Sequence, residues 1–394
     1  MPSARDRHLS EAQLELYERT RTLAATTLGA IADAGRSGEV NRPLIKALAD
    51  HGLLDVIFAS EGDISAIALC LIREALARHS PDAETAFALQ GLGAGPIVQA
   101  GTAETRERWI PEVADGSAVA AFALTEPEAG SDPAGLSLRA EPDGDGGYRL
   151  TGEKLWISNA PDADIYSVFA RTSTEDRGAR GLTAFAIPGD SPGLSGERRR
   201  LLTPHAIGSL TFDGVYAGPE QVLGEPGAGF RVAMRTLDLF RPSVGAFAIG
   251  MARAALDLAA DYALERHTFG KPLKDHQAVA HRLAQLEAET EAARLLVHQA
   301  AFAHDEHNHD PALAAMAKLL ATEVAQQAVD AAIQFHGAVA LEQGHPLEHL
   351  YRDVRATRIY EGASEIQRSI IARDLIGRDR NAGRTAGKDA DHAR

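Results

Sequence analysis

One carboxylate in the C-terminal part of the sequence, that of Glu361, lies on a short segment that enters a predicted helix. Glu361 is flanked by Tyr360 and by Gly362, and a glycine lets the chain turn where a side chain would obstruct it. Ser364 and Gln367 then have the spacing of a capping box, which predicts that a helix begins at Ser364. Glu361 is therefore either a surface charge near the favourable end of a helix dipole or a general base, and this segment alone leaves both interpretations open.

A second polar segment, residues 122–132 (FALTEPEAGSD), leads from an apolar strand into a turn. The turn combines hydroxyl groups, small residues and exposed backbone amides, which can form several hydrogen bonds to a polar ring or a phosphate. Taken alone, it is also explained as a structural turn. Residues 152–159 (GEKLWISN) add an indole and a hydroxyl group on a second strand. The two segments together favour a binding role.

A third polar segment, residues 265–273 (ERHTFGKPL), connects two predicted helices, and His276 and Gln277 open the second of them. It brings together a guanidinium, a hydroxyl group and an aromatic ring, which suit a pyrophosphate or a contact between subunits. Residues 334–337 (QFHG) end the following helix, where Gly337 fits a C-terminal cap.

Two other patterns carry weaker signals. Residues 91–95 (GLGAG) resemble a phosphate loop, but helical sequence precedes them and Pro96 follows, which disfavours a dinucleotide fingerprint. A loop of small residues that leaves space for a ligand is the alternative. The imidazoles of His304, His307 and His309 lie in a polar stretch between two helices, so a solvated loop is favoured over a metal site and no metal is predicted.

Composition excludes several classes of protein. The chain has 394 residues, 45% of them hydrophobic, and 40 basic against 55 acidic residues, a net charge of −15 that disfavours nucleic acid as a partner. A single cysteine, Cys70, excludes an internal disulfide framework. No apolar run is long enough to suggest a membrane span, and the polar N-terminus has no signal-peptide pattern. The expected location is therefore the cytoplasm.

The chain divides into three regions that differ in their sequence pattern. Residues 10–114 show helical periodicity, with a nearly apolar buried helix predicted at 64–77. Short β-rich segments separated by turn residues predict a compact antiparallel β domain at 119–223. Long helices follow at 242–265, 276–304 and 311–335, with a fourth from Ser364, which predicts a bundle. The expected domain boundaries are 1–117, 118–228 and 229–380, followed by a polar tail at 381–394.

In combination and in order, these segments resemble the acyl-CoA dehydrogenase family over about residues 10–377. The resemblance implies a mainly α fold with a central β domain, namely an N-terminal helical domain, a middle antiparallel β domain and a C-terminal four-helix bundle. It also implies FAD as cofactor, a homotetramer or dimer, a role in fatty acid metabolism and an electron-transfer flavoprotein as partner.

The same resemblance implies roles for individual residues. Glu361 matches the catalytic base. Trp156 is expected to pack near the isoalloxazine, and the hydroxyl of Ser158 is expected to lie close to N5. The other residues expected around the flavin are Phe122, Leu124, Thr125, Gly130 and Ser131. Groups that hold FAD, partly that of a neighbouring subunit, are Arg266, Thr268, Phe269, Gln277, Gln334 and Gly337, with Ser364 and Glu365 near the adenine half. Substrate contacts are expected from Ser131, Asp238, Arg241, Tyr360 and Gly362, with Asp238 and Arg241 just before a helix and near the CoA or pantetheine arm.

The implied reaction is the α,β-dehydrogenation of an acyl thioester. Glu361 removes the weakly acidic α-proton, and N5 of FAD accepts the β-hydride, which no side chain can do. An apolar surrounding would raise the proton affinity of Glu361 toward the working range. Three alternatives remain: a relative that oxidises an acyl group on an acyl carrier protein in a biosynthetic pathway, an oxidase that passes electrons to oxygen, and a catalytically silent scaffold subunit.

Overall fold

The computed structural model describes residues 4–58, 64–173, 175 and 178–388. The N-terminal part is helical, and a π-helical turn, Ala24–Leu28, joins its first two helices into one rod. The helices are α1 Glu11–Leu23, α2 Gly29–Asp33, α3 Arg42–Asp50, α4 Asp55–Phe58, α5 Ala66–Ala77, α6 Pro81–Ala100 and α7 Ala103–Ala114.

Small polar residues begin most of these helices, as their intrinsic preferences dictate. The side chain of Ser10 accepts a hydrogen bond from the backbone N–H of Gln13, and the Gln13 side chain accepts one from the backbone of Ser10, which completes a capping box. Ser65, Ser80 and Thr102 cap α5, α6 and α7 in the same manner, each through the N–H three residues later. Local sequence therefore determines where the N-terminal helices start.

The middle of the chain forms an eight-stranded sheet in the order β6-β7-β3-β2-β4-β5-β8, with β1 paired to β4. Most neighbouring strands are antiparallel, as predicted, but β4 pairs in parallel both with β1, where Ala120 lies opposite Ile165, and with β2, where Arg139 lies opposite Arg171. Strand composition does not encode direction, so the two parallel pairings were not expected. The strands are β1 Ala120–Ala123, β2 Arg139–Pro142, β3 Tyr148–Ser158, β4 Ile165–Arg171, β5 Leu182–Pro188, β6 Leu194–Arg198, β7 Ile207–Ala217 and β8 Val222–Leu223.

The C-terminal part is a bundle of long helices. The bundle helices are α8 Gly229–Glu265, α9 Gln277–Asp305, α10 Pro311–His336 and α12 Ser364–Lys388, with the hairpin β9 His267–Thr268 and β10 Lys271–Pro272 between α8 and α9, and α11 Pro346–Thr357 before α12. The short α11 was not predicted. The expected boundary at 380 falls inside α12, and residues 389–394 of the predicted tail lie outside the described residues.

The helix predicted to begin near Pro242 begins at Gly229 instead, so Asp238 and Arg241 lie within α8 and not before it. Proline removes one backbone hydrogen bond from a helix, which made a start at Pro242 the simpler interpretation. Buried side chains on both sides of it, among them Phe240 and Val244, keep the helix continuous through packing. By length and composition, α8 could also cross a membrane (mean hydropathy 1.3), yet 72% of that apolar window is buried inside the protein, as in a core helix.

The predicted small-residue loop at 91–95 is also wrong, because these residues lie inside α6. The glycines permit close packing and leave no free space for a ligand. A Cβ on Gly93 would lie 2.6 Å from the backbone of Ala120, and one on Gly91 would lie 2.7 Å from the Phe240 ring. The stretch therefore brings α6 against β1 and α8.

Two glycine substitutions test the tight packing of α6. In Gly93→Ala the new Cβ would meet the backbone of Ala120, whereas in Gly377→Ala, on α12, it would meet open space. Replacing glycine by alanine in a helix favours folding by up to about 1 kcal/mol. At Gly93 we expect overpacking to reverse this and to lower the free energy of unfolding by about 1–3 kcal/mol. Urea denaturation followed by circular dichroism measures both variants. Equal effects of the two substitutions would contradict the tight contact between α6 and β1.

Candidate active site

The segment that carries Glu361 is a tight loop between α11 and α12, held through its backbone carbonyls. Glu361 has φ 50° and Gly362 has φ 93°, so two successive residues adopt the left-handed region. Nζ of Lys318, on α10, donates to the carbonyls of Tyr360 (3.2 Å) and Gly362 (2.9 Å), and the Gln367 amide donates to the Gly362 carbonyl (2.8 Å). These bonds fix the position of Glu361.

The predicted capping box at the start of α12 is wrong. Gln367 uses its side chain on the loop carbonyls, and the Ser364 hydroxyl donates to Oε1 of Glu323 on α10 (2.8 Å). Glu323 also accepts from Arg358, at 2.9 Å. The tertiary contacts to α10 have therefore replaced the local cap, and they attach both sides of the Glu361 loop to one helix.

Burial and nearby positive charge have opposite effects on the pKa of the Glu361 carboxyl group. Burial raises its pKa above the ordinary value of 4.5, whereas the positive charges of Arg73, Lys318 and Arg241 lower it, and burial prevails. Its Oε2 atom is shielded from solvent and has no hydrogen-bond partner among the described residues. A buried carboxyl oxygen without a hydrogen-bond partner lowers the stability of the fold unless a ligand supplies that partner. This atom therefore marks the centre of the candidate site.

Lys318 holds the Glu361 loop through hydrogen bonds and also places a positive charge near the Glu361 carboxyl group. Its side chain is completely buried in α10. Burial lowers the pKa of Lys318 to about 8, although the nearby charge of Glu361 opposes the shift. Sequence analysis did not single out this lysine, because a lone lysine on an alanine-rich helix looks like a solvated one.

Arg73 and Glu84 form a second feature that sequence analysis missed. The Arg73 Nε donates to Glu84 Oε1, and its Nη1 donates to the Ser243 hydroxyl at 2.5 Å. The neighbouring Glu74 points elsewhere, to Arg294 of α9, at 2.7 Å. A signal was present in the sequence, since two charged residues interrupt a helix predicted to be buried throughout.

A buried ion pair holds the two polar segments of the β domain together. Lys154 Nζ donates to Glu126 Oε1 (2.8 Å) and to the carbonyl of Leu124 (2.9 Å), and Glu126 also accepts the backbone N–H groups of Ser137 (2.6 Å) and Leu138 (2.9 Å). Burial lowers the pKa of Lys154 to about 8. Segment 122–132 is therefore anchored on β3, the strand that carries Trp156.

Trp156 leaves the sheet at an irregularity. The register of β3 against β7 shifts between Lys154 and Ile157, where β3 contains one extra residue, and Trp156 has φ 60°. As a result the indole is 51% exposed, unusual for so large an apolar ring. Ser158 follows at the end of β3 and shares a 2.8 Å hydrogen bond with Nε2 of His205.

Asp353, on α11, acts electrostatically on groups of both the β domain and the Glu361 segment. Burial lowers the pKa of His205 to about 4, so this imidazole is neutral at physiological pH. The carboxyl group of Asp353 influences both His205, which is hydrogen-bonded to Ser158, and the phenol of Tyr360, next to Glu361.

The remaining predicted flavin-side residues of this domain lie on β1 and in the turn that follows it. Phe122 is half-buried with its ring 5.0 Å from Phe169, and Leu124 and Thr125 are half-buried beyond it. Gly130 and Ser131 are exposed, and a Cβ on Gly130 would meet nothing within 4 Å. The turn at Gly130 therefore leaves open space at its surface.

A second group of predicted FAD residues lies at the opposite end of the bundle. Tyr262, near the end of α8, stacks on His336 at the end of α10 with ring centroids 4.1 Å apart, so these helix ends are adjacent. Lys318 and Gln334 are separated by about 24 Å along α10 at 1.5 Å per residue. One bound FAD at Glu361 does not reach both groups easily. The distant group comprises Arg266, Thr268, Phe269, Gln277, Gln334 and Gly337.

Phe269 makes the distant group distinctive. Its side chain is 97% exposed at the tip of the β9–β10 hairpin, with φ 51°, and Arg266 beside it is exposed as well. Thr268 shares a 3.2 Å hydrogen bond with His276. The hairpin therefore presents an aromatic ring and a guanidinium to solvent.

The residues predicted to lie near the CoA or pantetheine arm, Asp238 and Arg241, both lie on α8. Arg241 is 8% exposed, pairs with Asp238 at 2.7 Å, and leaves its buried Nε without a hydrogen-bond partner among the described residues. Its charge acts directly on Glu361. Near the predicted adenine site, Ser364 is buried against Glu323, whereas Glu365 is exposed.

The histidine-rich stretch lies between α9 and α10, as predicted. Asp305, in the same stretch, accepts hydrogen bonds from Ser65 (2.8 Å) and from the backbone of Ala66 (2.6 Å), and so holds the start of α5. His309 Nε2 lies 3.6 Å from Asp238. Within the described residues no cluster of three or more histidine, cysteine or acidic side chains could hold a metal ion.

Comparison with known proteins agrees with this geometry. Residues 10–117, 121–215 and 227–376 match, respectively, the N-terminal, middle and C-terminal domains of acyl-CoA dehydrogenase. Cyclohexane-1-carbonyl-CoA dehydrogenase of Geobacter metallireducens is 35% identical over 354 residues, 88% of this chain and 92% of that protein. Butyryl-CoA dehydrogenase from Megasphaera elsdenii has a TM-score of 0.88 at 32% identity, covering 93% of this chain and 99% of that chain. The FAD complex of PigA has a TM-score of 0.87 at 29% identity, covering 93% of this chain and 98% of that chain.

The chain belongs to the acyl-CoA dehydrogenase family. The predictions of the family, the fold class, an FAD-dependent oxidoreductase and FAD as cofactor are confirmed. The residues present fit that cofactor, because the indole of Trp156 is exposed, Gly130 leaves open space and the buried Oε2 atom of Glu361 has no hydrogen-bond partner among the described residues.

Glu361→Gln tests the buried state of the carboxyl group without reference to activity. A pKa raised by folding contributes stability that is present below the unfolded value of 4.5 and is lost as pH rises through the folded pKa. Glutamine does not titrate. We therefore expect the variant to gain stability relative to the wild type as pH rises, by about 1.4 kcal/mol per unit of pKa elevation.

Urea denaturation of both proteins between pH 4 and 8, at equal FAD concentration, measures this difference. Glu107→Gln, at an exposed position on α7, is the matched control and should show no comparable trend. A constant difference between Glu361→Gln and wild type over this range would show that the carboxyl group is not buried.

Proposed function

We propose that Glu361 is the general base that removes the α-proton of an acyl thioester. The observation that carries this proposal is the Glu361 Oε2 atom, which is buried, unpartnered within the described residues and held on a clamped loop. When bound, FAD accepts the hydride that leaves Cβ. The chain's own part is to take the proton, because a carboxylate positioned against Cα completes the removal of hydrogen across the Cα–Cβ bond.

The charges around Glu361 set the pH at which it can act. Only the carboxylate form accepts a proton, and burial alone would keep the group protonated. Arg73, Lys318 and Arg241 favour the ionised form and restrain the upward shift of the pKa. The same burial excludes water, which strengthens the interaction of the carboxylate with the reacting proton. The rate is therefore expected to rise with pH through the raised pKa of Glu361.

The flavin ring is proposed to lie against Trp156, with the Ser158 hydroxyl directed to its N5 edge and Thr125 and Ser131 as further hydrogen-bonding groups. His205 supports this arrangement as a positioning residue, since its neutral imidazole already shares a 2.8 Å hydrogen bond with Ser158. A neutral imidazole can orient the hydroxyl without adding charge near the ring.

A homo-oligomer, either a tetramer or a dimer, follows from the second group of FAD residues. The exposed Phe269 and Arg266 lie at the end of the bundle remote from Glu361, so they suit the FAD of another copy of the chain. Each site would then need a second subunit for full affinity. Analytical ultracentrifugation of the FAD-bound protein tests this, and a monomer with fully bound FAD would contradict it.

An acyl carrier protein remains the second candidate as carrier of the acyl group. A carrier arm needs the pantetheine contact proposed for Arg241 but no nucleotide site. Calorimetric binding of CoA discriminates the two, because CoA itself should bind only to an enzyme of CoA thioesters. We also propose a cytoplasmic location and an electron-transfer flavoprotein as acceptor; release of hydrogen peroxide during turnover would identify an oxidase instead.

Glu361→Gln is expected to retain bound FAD and to lose the bleaching of flavin absorbance by an acyl-CoA substrate. Glutamine preserves the shape of the side chain but cannot accept the α-proton. Loss of a general base lowers the rate by about 10²–10⁴-fold at least. Anaerobic stopped-flow spectroscopy measures the bleaching, with Glu107→Gln as control. Bleaching at the wild-type rate would remove Glu361 from the mechanism.

Lys318→Met should move the pH–rate profile of flavin reduction to higher pH. The substitution removes one positive charge that lowers the pKa of Glu361 and two donors that hold its loop. The apparent pKa of the acid limb should therefore rise and the limiting rate should fall. Lys274→Met, at an exposed position before α9, is the control. An unchanged pKa in Lys318→Met would assign Lys318 a purely structural role.

A further inference from the structure

The turn that carries Ser131 belongs to a loop between β1 and β2 whose two ends are tied together. The side chain of Glu126 accepts the backbone N–H groups of Ser137 (2.6 Å) and Leu138 (2.9 Å), which closes the loop at its neck. Residues 127–136, between these anchors, form the Ser131 loop. A closed neck fixes the ends of a loop but does not by itself fix the conformation of the residues between them.

Arg171, the last residue of β4, attaches the Ser131 loop a second time. Its Nε donates a hydrogen bond to the carbonyl of Leu136 (2.8 Å), and its Nη2 donates one to the carbonyl of Ala134 (2.7 Å). The backbone N–H of Arg171 donates to the carbonyl of Leu138 (2.7 Å). One residue of a neighbouring strand therefore holds three carbonyl groups at alternate positions of this segment.

The guanidinium group of Arg171 is itself held in place. Its remaining nitrogen, Nη1, donates to the carbonyl of Gly178 (3.3 Å), so each of the three nitrogens forms a hydrogen bond. A guanidinium presents its donors in a rigid planar fork, whereas the ammonium group of a lysine is a single point charge. Hydrogen bonds from a charged donor are also stronger than those between neutral groups. Arg171 therefore suits the fixing of two carbonyls in one geometry.

The tip of the Ser131 loop, residues 130–132, is exposed, so packing does little to hold it. A 3-10 turn, Pro133–Gly135, follows the tip directly, and the N–H of Gly135 donates to the carbonyl of Asp132 (3.1 Å). The proline ring fixes one backbone angle of this turn. A displacement of the carbonyls that Arg171 holds is therefore transmitted through the turn to Ser131.

A second arginine of the same sheet offers a matched comparison. Arg149, on β3, donates from Nε to Asp143 (2.7 Å), in the turn between β2 and β3, and from Nη1 to the carbonyl of Gly214 (3.2 Å). Its guanidinium also lies over the Tyr216 ring, 4.9 Å from the centroid. Arg149 thus supports a turn of the β domain as Arg171 does, but it has no hydrogen bond to the Ser131 loop within the described residues.

We propose that Arg171 is a positioning residue for ligand binding, because it fixes the backbone at Ala134 and Leu136 and so holds Ser131 where it can bond to the flavin and to the thioester. Arg171 acts through the Ser131 loop and not by touching either ligand. This inference rests on the proposed function, in which Ser131 is a hydrogen-bonding group for FAD, and it adds the residue that sets the position of Ser131.

Arg171→Gln should weaken binding and leave the chemical step almost unchanged. When a loop occupies its binding conformation for only a fraction of the time, the apparent affinity falls by that fraction. Loss of two charge-assisted hydrogen bonds predicts a rise of about tenfold or more in the Kd of FAD and in the apparent Kd of the thioester. The limiting rate of flavin reduction should stay within about threefold, since the proton goes to Glu361 and saturating ligands hold the loop in place.

Two measurements on the holoenzyme give these quantities. Anaerobic stopped-flow reduction of the FAD-saturated protein by butyryl-CoA, hexanoyl-CoA and octanoyl-CoA gives the limiting rate and the apparent Kd of each thioester, and the fluorescence of flavin released on dilution gives the Kd of FAD. Arg171→Lys, which keeps the charge without the fork, should give intermediate values, and Arg149→Gln should bind as the wild type does. A lower Tm of Arg171→Gln with wild-type values of both Kd would overturn the proposal.

Limited proteolysis reports the order of the Ser131 loop without any turnover. Glu128 is an exposed residue of this loop, so a glutamate-specific protease can cut after it once the loop opens locally. Cleavage at this bond, identified by mass spectrometry, should be about tenfold faster in Arg171→Gln than in the wild type or in Arg149→Gln. Equal cleavage rates in all three proteins would show that Arg171 does not hold the loop.

The outcomes separate this inference from the proposed function. If none of the three thioesters reduces the flavin of the wild type, the proposed dehydrogenation of acyl-CoA fails, and the Kd of FAD and the cleavage rate still decide on Arg171. If the thioesters reduce the flavin and Arg171→Gln keeps the wild-type affinities and cleavage rate, only the assignment of Arg171 fails.

Discussion

The burial of one carboxyl group against three positive charges is the constraint around which this protein is organised. Glu361 needs an environment dry enough to raise its proton affinity, yet it must ionise near neutral pH. Arg73, Arg241 and Lys318 satisfy the second requirement from three different helices. Because each cation is itself largely buried, each needs partners of its own, which are Glu84, Asp238 and the loop carbonyls respectively. Arg73 also donates to Ser243 and so links α5 of the N-terminal part to α8 of the bundle.

The same design recurs in the β domain, where Lys154 and Glu126 hold a polar turn on a neighbouring strand. In both places a buried lysine bonds to backbone carbonyls and fixes a loop that carries functional groups. Backbone anchoring leaves the side chains of the loop free to meet a ligand. Because backbone groups anchor these segments, the Trp156 indole stays exposed and the Oε2 atom of Glu361 stays without a hydrogen-bond partner among the described residues.

Much of the fold could be predicted because its helices and strands depend on local patterns. The long helices α9 and α10 lie within a residue of their expected limits, since apolar spacing indicates both and an N-terminal proline marks the start of α10. The errors concern packing. Pro242 was expected to begin a helix and lies inside one, and residues 91–95 were expected to be open and are tightly packed. In each case neighbouring elements outweighed the local preference, as they did when Glu323 replaced the expected cap on Ser364.

The sequence by itself determined the residues of the Glu361 turn, the two polar segments of the β domain and the order of the three regions, since residue type and spacing act over one or two turns of chain. The tertiary structure alone decided which charges surround Glu361 and that the two groups of predicted FAD residues lie far apart. Electrostatic energy depends on distance through space and on burial, and neither is a property of position along the chain. Which groups Arg73, Glu84 and Lys318 contact was decided only by the packing of the helices that carry them.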